Sequence, residues 1–146
     1  PRPTFLPLLH AWGILYWFIL FWWIYSLFVL LGIYGTVGTT FPVFLIHMIG
    51  AVVGGTAYQI IAFQFGLNTF SPERVQLGLV LAKAGIGIIA FGFIDYVATY
   101  QSLILNIDTL LDIAAMVVGY MAWRSINQYA QQQKNSYTQP IFTNAI

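Results

Sequence analysis

Apolar residues run almost unbroken from Leu8 to Tyr34, from Phe41 to Phe65, from Val75 to Ala98 and from Ile107 to about Gln131. Each run exceeds the roughly 20 residues an α-helix needs to cross the hydrocarbon core of a bilayer. Lipid offers the backbone no hydrogen-bond partner, so such runs must satisfy their own N–H and C=O groups as helices. The pattern predicts an all-α fold, an integral membrane four-helix bundle: one transmembrane domain over residues 1–131 and a polar tail over 132–146.

The breaks between runs carry helix start and stop signals. Gly32, Gly35 and Gly38, with Thr36, Thr39 and Thr40, close the first span, and Thr40 with Pro42 supplies a capping hydroxyl and an early-turn proline for the second. Residues 66–70 form a connector, and Ser71-Pro72-Glu73-Arg74 reads as cap, first-position proline and first-turn carboxylate. The turn before the fourth span, residues 99–106, has neither Gly nor Pro; Asn106 is the expected cap, with Asp108 complementing the helix dipole. The tail, rich in Gln, Asn, Ser and Thr, is expected to be mobile unless a partner orders it.

Composition sharpens this picture. Of 146 residues, 60% are hydrophobic and 6% charged, against about 25% charged in an ordinary soluble domain. The net charge of +1 and the lack of a basic patch exclude nucleic acid as a partner. Cysteine is absent, which excludes disulfides, thiolate metal sites and thiol catalysis. The flanking basic residues Arg2, Arg74, Arg124 and Lys134 all fall at one end of an even-numbered bundle. The positive-inside rule then puts both termini on the cytoplasmic or equivalent inner side.

Small and polar residues mark protein-facing surfaces in a bilayer. His47, Gly50, Ala51, Gly54 and Tyr58 share one face of the second span, and Asp108, Asp112, Ala115, Gly119 and Ala122 one face of the fourth. Gly50, Gly54, Ala115 and Gly119 are the expected packing positions, with the two stripes facing each other. Gly78, Gly85, Gly87 and Gly92 allow neighbours close to the third span, while the Trp-rich first span suits lipid, an interfacial belt or a broad partner surface.

An ionisable group at membrane depth costs about 2.5–3.5 kcal/mol on insertion scales and invites a partner or a role. Lys83, about 12 Å into the third span by helix rise, has three options: snorkelling inward, pairing with Asp112, or meeting an acid on a neighbouring subunit. His47, Asp95, Asp108 and Asp112 fall in the outer half of their spans and form the candidate metal or proton-relay set. The same residues also read as a charged helix start, an interfacial carboxylate and a packed imidazole. His10 and His47 enter from opposite ends, so they cannot share one haem; each singly is a candidate cofactor ligand or quinone contact.

No catalytic constellation emerges, and the chain is not expected to be an enzyme on its own. The first functional reading is a structural or accessory subunit of a larger respiratory, photosynthetic or monooxygenase-type membrane complex, in contact with lipids and with other transmembrane subunits or copies of itself. Lipid, quinone or pigment contacts are compatible with it, and no cofactor carried by this chain alone is the default. The alternatives are a small oligomeric transporter or channel using Lys83 and Asp112, and a membrane-embedded lattice or envelope protein.

Overall fold

The computed structural model of the chain describes residues 3–66, 70–100 and 106–145, of which Tyr100 and 136–145 as backbone only. Arg2 and the connecting residues 67–69 and 101–105 lie outside the described residues. Helix α1 spans Leu6–Tyr34, α2 Phe41–Phe65, α3 Pro72–Tyr100 and α4 Ile107–Ala145, with a 3₁₀ turn at Gly38–Thr40 before α2. All four helices are long and apolar enough to cross a membrane, which makes the chain a multi-pass integral membrane protein with an all-α bundle.

Local chemistry explains most of the boundaries. Gly35 takes the left-handed conformation (φ 73°) and donates its N–H to Leu31 O at 2.9 Å, a C-terminal cap that a β-carbon would strain. Ser71 caps α3: its hydroxyl faces the Arg74 N–H at 3.5 Å and its carbonyl accepts from Val75 at 3.2 Å. Asn106 caps α4 through Oδ1, which accepts the Thr109 N–H at 3.0 Å.

Two expectations are corrected. Thr40 lies in the helical region (φ −84°, ψ −7°), and its hydroxyl donates back to Val37 O, so α2 starts without a side-chain cap. A capping oxygen is aimed at the first turn from an extended backbone, and Thr40 lacks one. Helix α4 does not stop near Gln131 but continues to Ala145. Loss of hydrophobicity ends a membrane crossing, not a helix, and residues 131–139 contain no Gly or Pro to stop it.

Around the bundle, α1 packs on α2, α2 on α3, α3 on α4 and α4 on α1, which leaves α2 and α4 diagonal. The seam between α2 and α3 is the closest. A β-carbon added to Gly85 would sit 2.7 Å from Gly54 N and 2.8 Å from Gly54 Cα, so the two backbones touch. Elsewhere rings occupy the space that glycines leave open. Tyr16 lies on Gly54 of α2 and reaches Gly119 of α4, Trp17 lies on Gly55, and Tyr58 on Gly13. In lipid, helices attract one another through such close packing, here rings against glycines around α1 and glycine backbone and isoleucines along the α2–α3 seam.

The expected facing of the α2 and α4 stripes takes a different form. The glycines of α2 meet α1 and α3, while Ala115 and Gly119 of α4 meet Tyr16 of α1. The two stripes touch through side chains at one level, His47 and Asp112. At the opposite end, Phe5, Phe65, Phe70 and Tyr129 close the bundle with ring centroids 5.3–6.0 Å apart.

Candidate functional site

His47 and Asp112 are both fully buried and meet across the diagonal of the bundle. By a rise of 1.5 Å per residue, His47 stands about 9 Å from the start of α2 and Asp112 about 7.5 Å from the start of α4. Imidazole Nε2 and carboxylate Oδ2 are 2.7 Å apart, and Nδ1 lies 2.8 Å from Val43 O, one turn earlier on α2. Gly92 of α3 makes the room: a β-carbon there would lie 3.0 Å from His47 Cε1 and 3.1 Å from Nδ1. Trp23 of α1 covers the other side, stacked on the imidazole with centroids 4.1 Å apart and planes 24° from parallel. Four helices thus hold one imidazole.

The hydrogen bonds count the protons. A backbone carbonyl only accepts, so the Val43 contact requires a hydrogen on Nδ1. The Nε2–Oδ2 contact then carries one more, held on nitrogen as an imidazolium–carboxylate pair or on oxygen as a neutral pair. Either way the dyad is a neutral unit with one shared proton, which lets it lie in an apolar bundle. Among the described residues, no protein group bonds the remaining carboxylate oxygen, Oδ1, or the indole N–H of Trp23.

Toward one end, polar side chains lie beyond the dyad. Asp108, one turn up α4, accepts the Trp22 indole N–H at 2.6 Å. Tyr96 of α3 accepts from Asn106 Nδ2 at 2.8 Å and packs edge-on to Trp23. Toward the other end, the Tyr16 hydroxyl donates to Ala115 O at 3.0 Å. Beyond it the core is Ala82, Leu79, Ala122, Ile126 and Ile61, with Gln64 buried near the end of α2.

Of the four-residue candidate set, the structure joins His47 with Asp112. Asp108 is bonded to Trp22, and Asp95 sits half-buried on α3 in neither bond. Among the described residues no three His, Asp or Glu side chains converge as metal ligands. His10 is exposed on α1, its Nδ1 2.9 Å from the Tyr58 hydroxyl. Tyr58 is 11 residues along α2 from His47, about 16 Å of rise. Lys83 and Asp112 have different partners: Asp112 turns inward to His47, and Lys83 lies exposed on α3 with Nζ 5.8 Å from the centroid of Trp123. That indole in turn donates to Leu79 O at 3.1 Å.

Trp23, Tyr16, Tyr96 and Gly92 were not singled out in advance as parts of this site. A signal for Gly92 existed, since Gly78, Gly85 and Gly92 recur every seven residues on one face of α3. Comparison with protein-family models, curated proteins and solved structures finds no match.

Proposed function

We propose that the chain is a structural subunit of a larger membrane complex, with no catalytic chemistry of its own and with one neighbouring helix seated on α1. The observation that carries this reading is the outward face of α1. Ile14, Phe18, Phe21, Tyr25 and Phe28 follow at alternating steps of four and three, and all are exposed. Trp and Tyr anchor a helix at headgroup depth, whereas the rings of this face are mostly Phe. These run continuously over about 15 Å of helix from Phe18 to Phe28, as a seam that another transmembrane helix would fill.

Two further features support a packing role. Rings lie against glycines in the interior, and the one buried ionisable pair among the described residues joins two of the chain's own helices. Lys83 and Asp112, the pair a transport path would need, face opposite directions. In the membrane, the end bearing Arg74, Arg124 and Lys134 is assigned to the cytoplasmic or equivalent inner side.

The test is extraction of the tagged chain from its native membrane in a mild detergent, followed by native electrophoresis and mass spectrometry. Co-migration in fixed ratio with other membrane polypeptides, lost in the Phe21→Ala/Phe28→Ala double variant, is the expected result. A homo-oligomer alone, or solute flux through liposomes containing only this chain, overturns the reading.

A further inference from the structure

Lys83 is the ionisable side chain of the bundle's interior depth that no other described group neutralises. Among the described residues it makes no ion pair, and its ammonium rests on the Trp123 ring at the outer surface of α3 and α4. Lys83 stands 10 residues above Glu73, about 15 Å, and 12 below Asp95, about 18 Å. A lysine stem reaches roughly 6 Å, which leaves the ammonium about 9 Å short of the Glu73 level. Even fully extended along α3, the side chain does not reach the level of Glu73.

We infer that Lys83 pairs with a carboxylate carried by a transmembrane helix of a different polypeptide, which docks on the α3–α4 face. This rests on the reading of the chain as a subunit of a complex and names the partner's chemistry. A second copy of the chain does not meet the requirement. The chain has four carboxylate side chains, Glu73, Asp95, Asp108 and Asp112. Copies that share one membrane orientation present Glu73 and Asp95 at the depths just given. Asp108 is bonded to Trp22, and Asp112 is fully buried against His47. None lies exposed at the level of Lys83.

The surface beside Lys83 is shaped for a helix. Ala84 and Gly87 are exposed on the same side of α3, and a β-carbon on Gly87 would meet nothing within 4 Å. A neighbouring backbone can therefore come close there and bring a short acidic side chain to the ammonium. The glycines that serve the bundle itself, Gly78, Gly85 and Gly92, lie on the opposite face.

The test exploits the scarcity of amines. Besides Lys83 the only lysine is Lys134, so in a Lys134→Arg background Lys83 holds the only side-chain amine. A membrane-permeant carbodiimide applied to the native membrane would join it to a touching carboxylate as an amide. The expected product is a cross-link from Lys83 to an Asp or Glu within an apolar segment of another polypeptide, absent in Lys83→Arg. Exchanging the two charges, Lys83→Asp with the partner acid changed to Lys, should restore the complex that Lys83→Asp alone loses at least tenfold. Gly87→Leu should weaken the complex while leaving the isolated chain folded.

An intact complex in Lys83→Met with no cross-link from Lys83 overturns this proposal and leaves the subunit reading standing. The same holds if Lys83→Met loses only a bound anionic lipid in native mass spectrometry, or if the cross-link joins two copies of this chain. Absence of any complex in the parent chain overturns the subunit reading itself.

Discussion

Replacing Asp112 by Leu would leave His47 at full burial with Nε2 facing a methyl group. The imidazole keeps its bond to Val43 O but loses the 2.7 Å contact that neutralises its second nitrogen. A buried polar group stripped of its partner costs about 1–3 kcal/mol. Breaking a true buried ion pair by removing one partner costs about 3–5 kcal/mol. His47→Leu alone strands the carboxylate instead, the more expensive orphan because Oδ1 has no partner among the described residues. The double variant removes both polar groups and fills the space with hydrocarbon, so it should recover most of the loss.

A double-mutant cycle measured by reversible unfolding in mixed micelles or bicelles should therefore return a coupling of about 1–3 kcal/mol. Asp112→Asn divides the two proton arrangements. Asn can donate to an unprotonated Nε2 and so replaces the neutral pair at small cost, whereas it cannot replace a carboxylate facing an imidazolium. Additive single losses, or single losses below about 0.5 kcal/mol, would refute the claim that the dyad holds the diagonal of the bundle.

Gly85→Ala should destabilise the chain by about 1–3 kcal/mol, because the new methyl meets the backbone of Gly54 and neither helix can yield. Gly87→Ala, in open space on the same helix, should be neutral or stabilising by up to about 1 kcal/mol in the isolated chain. Thermal unfolding in detergent compares the two. Tyr16→Phe should cost about 1 kcal/mol by removing the bond to Ala115 O while keeping the ring on Gly54. Reporter tags at the two ends, read by protease protection in sealed vesicles, should lie on the same side; opposite sides would contradict an even number of crossings.

The crossings were legible because they rest on one-dimensional quantities, length and apolarity. Helix α2 begins and ends at Phe41 and Phe65 as the hydrophobic run does. Ser71 and Asn106 were legible as caps because their bonds join neighbours in sequence. The partner of Asp112 was not legible. Residue spacing fixes which face of α4 it occupies but not which of three other helices that face meets. Lys83 offered the obvious opposite charge, yet rotation of α3 turns that side chain outward and brings Gly92 to the imidazole. Rings as the complement of glycines were likewise hidden: Tyr16 reads as one more apolar residue until Gly54 and Gly119 stand on either side of it.

Three polar bonds that cross from the first two helices end on the last one. Tyr16 donates to Ala115, Trp22 to Asp108, and His47 is bonded to Asp112. Without the fourth helix, the Tyr16 phenol, the Trp22 indole and Nε2 of His47 would lack the partners they have in the bundle. A product truncated before Ile107 would carry those three unmet groups inside lipid, a ready mark for membrane quality control.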